Sequence, residues 1–140
     1  MKILRLLFVV AVIAVAYNWW TNRQQQQSLA AMTSPNGFVP VPMPSQAKAG
    51  TILIFAPDNC PREGAQRAEA LHQGLTELDL PNVRTSRYSS QSFEDTAEAR
   101  AAYERLNHVM TGEIPIVLVN GMGKANPTLD EVVAEYRLTQ

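Results

Sequence analysis

Apolar residues fall into three arrangements along this chain, and each predicts a different element. The first is a nearly unbroken apolar run that follows Lys2 and Arg5 and ends at Tyr17, before Asn18-Trp19-Trp20-Thr21-Asn22-Arg23. The 17 residues between Arg5 and Arg23 carry no charge, which is the short end of the roughly 17–25 residues that span a bilayer. Two N-terminal cations predict a cytoplasmic start, and Trp19-Trp20 suits the opposite interface. The pattern predicts a single-pass inner-membrane anchor over 1–23, with everything after it in the periplasm. A cleaved signal is the competing reading. Ser28-Leu29-Ala30 has small residues at the right spacing, but it lies beyond the apolar core, and Gln24 to Gln27 make a poor cleavage region. Either way the rest of the chain leaves the cytoplasm.

The second and third arrangements alternate from Thr51 onward. Ile52 to Phe55 is a short continuous apolar run, the pattern of a strand buried on both sides. From Pro61, Ala68, Leu71, Leu75 and Leu78 recur at helical spacing until Pro81 ends the run. Val83 to Tyr88 predicts a weaker strand, interrupted by Arg84 and Arg87. A second helix is predicted from about Phe93 or Glu94 to Met110, with Ala99, Ala102, Leu106 and Val109 on one stripe and Gly112 as its stop. Ile114 to Val119 gives the strongest strand signal, and Asn120-Gly121 is a hairpin turn. Met122 to Asn126 predicts a return strand, and a last helix beginning at Pro127-Thr128-Leu129-Asp130 carries Leu129, Val132, Val133 and Tyr136. The order β-α-β-α-β-β-α predicts an α/β domain over 51–140, a mixed sheet covered by helices. Between anchor and domain, 24–50 is rich in Gln, Ser, Ala and Pro. Val39-Pro40-Val41-Pro42-Met43-Pro44 predicts an extended spacer, although Phe38 to Met43 could instead lie against the domain.

Charge and cysteine content narrow the function classes. The net charge is −1 with acids and bases interspersed, so the basic stripe of a nucleic-acid binder is absent. A single cysteine excludes an internal disulfide framework, and no Cys/His spacing matches a metal site. His72 and His108 read as surface helix residues, the latter favourable near a helix C-terminus. Glu94-Asp95 and Asp130-Glu131 read as helix-start acids.

That lone cysteine opens Cys60-Pro61-Arg62-Glu63, immediately after the first strand and at the start of the first helix of the domain. A thiolate is the reacting form of cysteine, and unpaired N–H groups at a helix start favour an anion. Pro61 suits the first turn because it has no N–H to leave unpaired. Arg62 adds positive charge, whereas Asp58 and Glu63 add negative charge. The same residues also read without chemistry, with Cys60 merely occupying the helix cap and Glu63 stabilising the first turn.

Strand, loop, Cys-Pro at a helix start and Ile114-Pro115 at the third strand together resemble the thioredoxin fold, with glutaredoxins the nearest match in length. The resemblance covers about Thr51 to Tyr136. It implies a cis peptide at Pro115 facing Cys60, with Ile114 offering backbone groups to a bound peptide or to glutathione. It implies thiol–disulfide exchange at Cys60, with Pro61, Arg62, Ile114 and Pro115 around the substrate; Glu63, in the same first turn, is the candidate to position a proton in that exchange. Three positions depart from the pattern. Glu63 stands where dithiol members have a second cysteine, so any exchange would be monothiol. Pro57 stands where glutaredoxins carry a lysine. Gly123-Lys124-Ala125-Asn126 lacks the Gly-Gly-acidic sequence that grips glutathione, leaving Arg62 and Lys124 as replacement cations. No cofactor other than glutathione is implied, and the partner would be a thiol-containing protein or glutathione. The alternative is a non-enzymatic peptide- or protein-binding module on a degenerate thioredoxin-like fold.

Overall fold

Ile52–Phe55 and Ile116–Val119 each bury four residues in a row, which requires cover on both faces of the sheet they form. The computed structural model describes residues 1–140 apart from Gln91, Phe93 and the side chain of Lys2. It divides into two compact units, Met1–Met32 and Thr33–Gln140.

The first unit is one helix, α1 (Lys2–Met32), long and apolar enough to cross a membrane. Where the sequence predicts an anchor ending at residue 23, the helix continues through Gln24–Gln27 to Met32. Glutamine, leucine and alanine are good helix formers, and neither Pro nor Gly interrupts them. Near the end of the apolar run, Thr21 returns its hydroxyl to the Tyr17 and Asn18 carbonyls, both at 3.0 Å. The Arg23 guanidinium lies 4.0 Å from the Trp19 ring centre, a cation–π contact one turn apart.

The second unit is an α/β domain with a mixed five-stranded sheet. Its strands are β1 (Val39–Pro40), β2 (Ile52–Phe55), β3 (Asn82–Thr85), β4 (Ile116–Val119) and β5 (Met122–Ala125). Its helices are α2 (Arg62–Glu77), α3 (Ala97–Met110) and α4 (Leu129–Leu138). The sheet order is β1-β5-β4-β2-β3. β2 runs parallel to β3 and antiparallel to β4, and β4–β5 and β5–β1 are antiparallel. Alternation along the strands sorts the core into two layers. Ile52, Ile54, Val117 and Val119 meet α2 and α4 through Ala68, Leu71, Leu75, Val132 and Tyr136. Leu53, Phe55, Ile116 and Leu118 meet α3 through Leu106 and Val109.

The proline-rich segment lies against the domain over Phe38–Pro44. Phe38 is fully buried in the α2/α4 layer and Val41 in the α3 layer, and β1 pairs with β5 in register Val39↔Gly123. Prolines donate no N–H, so their neighbourhood needs outside partners for its carbonyls. Arg105 Nε donates to the Pro40 carbonyl at 2.8 Å and Tyr88 Oη to that of Pro42 at 3.1 Å. Of the predicted spacer over 24–50, the first part is therefore helix and most of the remainder is held on the sheet.

Strand β4 begins at Ile116 rather than Ile114 and β5 ends at Ala125 rather than Asn126, and two further boundaries differ from the sequence reading for local reasons. Helix α3 starts at Ala97, because Thr96 Oγ1 accepts from the Ala99 N–H and caps it; Glu94 lies outside the helix, Asp95 turns to Arg100, and Phe93 lies outside the described residues. β3 ends at Thr85, whose Oγ1 accepts the Arg87 N–H and bends the chain away. The Asn120-Gly121 turn has φ of 46° and 82° at its two residues, the left-handed pair that closes a two-residue hairpin.

Candidate functional site

Cys60 ends a tight turn after β2. Its backbone N–H donates to the Pro57 carbonyl at 3.1 Å, which sets the direction of the sulfur at the head of α2. The thiol is free and half-buried, lying against the α2/α4 core layer. Helix α2 begins one residue later than the sequence suggests. Pro61 is its N-cap, with φ −54° and ψ 145°, and its carbonyl accepts the first helical bond from the Ala65 N–H at 3.1 Å. Cys60 therefore precedes the cap rather than occupying it, and no side chain caps α2. Arg62 and Glu63 are exposed in the first turn.

A wall beside the first turn of α2 is formed by the Ile114-Pro115 loop before β4, where the peptide bond is cis, the isomer the resemblance implies. Its contact with α2 is direct. A Cβ built on Gly64 would stand 3.3 Å from Ile114 Cβ, so only a glycine lets the helix settle this closely without displacing Ile114. Cys60 and Ile114 both lie against the same core cluster. Pro115 is fully buried, so its ring supports the wall from within and offers no open surface. Its carbonyl accepts the Asn126 N–H at 2.7 Å.

Arg67, which the sequence reading passes over, completes this wall. Its Nε and Nη2 both donate to the Ile114 carbonyl, at 3.0 and 2.9 Å. In sequence it reads as the i+4 companion of Glu63 on an exposed helix face, so no local signal points across 47 positions to Ile114.

The two cations suggested for glutathione differ in availability. Arg62 is exposed. Lys124 Nζ is engaged, donating to the Asn36 carbonyl at 2.9 Å and pairing with Glu131 at 2.9 Å. His72, read as solvated, is half-buried with Nδ1 against Asn82 Oδ1. Arg84 pairs with Glu69 on the outer strand β3. Among the described residues no three His, Cys, Asp or Glu side chains gather as metal ligands.

A second polar cluster lies on the same helical layer. Glu135 of α4 is fully buried, and its Oε2 accepts from Ser34 Oγ at 2.6 Å and Asn36 Nδ2 at 2.9 Å. Together with Lys124 it ties the loop 34–38 to the domain.

No protein-family model, curated protein or solved structure matches the chain.

Proposed function

We propose that residues 33–140 form a thioredoxin-like, glutaredoxin-related domain that carries out monothiol thiol–disulfide exchange through Cys60. The observation that carries this reading is the contact between the uncapped start of α2, with Cys60 just before it, and the cis Ile114-Pro115 loop. The order β5-β4-β2-β3 with one parallel pair supports the fold, since a hairpin and a β-α-β unit meet in it as the resemblance requires. Attack by the Cys60 thiolate on a disulfide joins Cys60 to one sulfur and releases the other as a thiolate. A second, external thiol then frees Cys60, because Glu63 stands where an internal resolving cysteine would be.

Helix α1 supports membrane anchoring, and the cations Lys2 and Arg5 before it favour an inner-membrane protein with its domain in the periplasm. In that setting the domain meets disulfides in an oxidising compartment. Retention in the membrane pellet after alkaline extraction, with loss of the domain when spheroplasts are treated with protease, checks the placement.

Exchange is tested by mixing the folded full chain with a chromogenic aromatic disulfide. One equivalent of thiolate should be released and one adduct should form, and Cys60→Ser should abolish both. Release only upon unfolding would defeat the exchange reading. The second reading, a binding module without chemistry, is favoured by the burial of Pro115 and the half-burial of Cys60. It requires that Cys60→Ser leave partner binding intact.

A further inference from the structure

The carbonyls of the Ile114-Pro115 loop are already occupied. Extended peptides dock on a protein chain by exchanging N–H and C=O bonds with it, so a segment whose carbonyls are taken offers at most half of that pairing. The Ile114-Pro115 loop has two. The Ile114 carbonyl receives Nε and Nη2 of Arg67, at 3.0 and 2.9 Å, which uses both of its lone pairs. The Pro115 carbonyl receives the Asn126 N–H at 2.7 Å. Pro115 has no N–H to offer, and from Ile116 onward the chain is in β4, between β2 and β5. Gly64 holds α2 against Ile114, and Arg67 projects from the next turn of the same helix. The guanidinium is thus set on its acceptor by the helix packing, and the bond is charge-assisted.

We propose that Arg67 is a specificity-determining residue: by capping the Ile114 carbonyl it bars extended polypeptides from pairing beside Cys60 and leaves the thiol to small disulfides. The inference rests on the exchange reading of Cys60. An extended peptide must break two guanidinium bonds to gain one backbone bond, whereas a small disulfide needs no backbone pairing and meets no such barrier. Arg67 is exposed, so it has room to swing out, and removing it should open the wall without emptying the core.

The test uses the full chain in detergent and two probes with one leaving group. One is the mixed disulfide of 2-mercaptoethanol with thionitrobenzoate. The other is the same mixed disulfide of a neutral peptide in which a central cysteine is flanked by valine and threonine. In each, the Cys60 thiolate bonds to the probe's aliphatic sulfur, the probe S–S bond breaks, and thionitrobenzoate leaves with the electron pair. The thiol proton passes to solvent, and the probe itself is the oxidant. The native chain should react faster with the small probe. Arg67→Ala should raise the peptide-to-small rate ratio about tenfold, the scale of one charge-assisted hydrogen bond. Arg67→Lys, which keeps the charge but not the fork, should fall between. A ratio equal in native and Arg67→Ala chains, or a native preference for the peptide, overturns the role of Arg67 alone. No release from either probe overturns the exchange reading and this inference with it.

Discussion

Helices α2 and α4 cover the same face of the sheet, yet they begin in opposite ways. At α4, Thr128 Oγ1 accepts the Glu131 N–H at 3.3 Å and the Glu131 carboxylate accepts the Thr128 N–H at 2.9 Å, a complete capping box. Glu131 also holds Lys124. At α2 the cap is Pro61, which offers no side-chain acceptor. Every helix start leaves N–H groups without helical partners. Side chains take up part of theirs at α3 and α4, whereas at α2 no side chain does so and they are left to solvent or to an anion. Internal satisfaction is missing at the one helix of the domain that follows the lone cysteine. The start of α4 is fastened by its own side chains, and the start of α2 is left chemically open.

The largest expected effect breaks the fastened side. Glu135→Ala removes the acceptor of Ser34 Oγ and Asn36 Nδ2 from a fully buried position. Stranding these donors and emptying the site should cost about 2–3 kcal/mol, read as a lower urea midpoint. A loss under about 0.5 kcal/mol, the ordinary range of a surface change, would show that loop 34–38 does not depend on Glu135. Next is Thr128→Ala, which removes one half of the capping box and should cost about 1 kcal/mol. If the urea midpoint stays where it is, α4 is held by its packing alone and the contrast with α2 loses its energetic meaning.

The pH dependence of the fastened side follows from Glu131. The hydrogen bond from Lys124, then that from the Thr128 backbone, holds its carboxyl below the usual carboxylate range. A folded-state value below the unfolded one means the unfolded chain binds more protons in acid. The contribution is therefore complete above the ordinary carboxylate value of about 4.3 and is lost as pH falls through the lower folded value. Glu131 is about one-third exposed, with a side-chain accessibility of 36%, so solvent screening keeps the effect under about 1 kcal/mol. Urea midpoints at pH 7 and at acid pH should converge for native and Glu131→Gln chains as the pH drops. Parallel losses in the two chains would remove Glu131 from the account.

The sheet was largely legible in the sequence, the contrast between the two helix starts was not, and the illegible long-range contacts share one physical cause. Ile52–Phe55 read correctly, and the run expected over Ile114–Val119 did so from Ile116 onward, because complete burial leaves an unmixed apolar run. The hairpin read correctly because Asn120-Gly121 suits a turn with positive φ at both residues. By contrast, the prolines of 35–44 advertise a spacer by composition, and only Phe38 entering the core and Val39 pairing with Gly123 overrule it. Arg67 on Ile114 spans 47 positions and Ser34 on Glu135 spans 101. Such contacts leave no local period, so Cys60, Pro61 and Pro115 could be singled out in advance while the residue that occupies their wall could not. Lys124 illustrates the same limit: its charge suggested a ligand-binding role, and Asn36 and Glu131 already hold it.

The smallest change on stability bears most directly on the open side. Pro61→Ser would give α2 the side-chain acceptor it lacks. A serine cap is worth about 1 kcal/mol over a residue with no acceptor. Losing the proline restores freedom to the unfolded chain and costs about 0.4–1 kcal/mol, since its φ of −54° is one that proline adopts unstrained. The two nearly cancel, and the urea midpoint should correspond to a change within about 0.5 kcal/mol. If the uncapped N–H groups of α2 support the Cys60 thiolate, exchange should nevertheless slow, because the serine hydroxyl would take one of them. A midpoint that holds while thionitrobenzoate release slows severalfold would tie reactivity to the uncapped start of α2. Release at the native rate would instead mean that the missing cap has no part in the chemistry, and that the α2–Ile114 wall must explain the reactivity of Cys60 by itself.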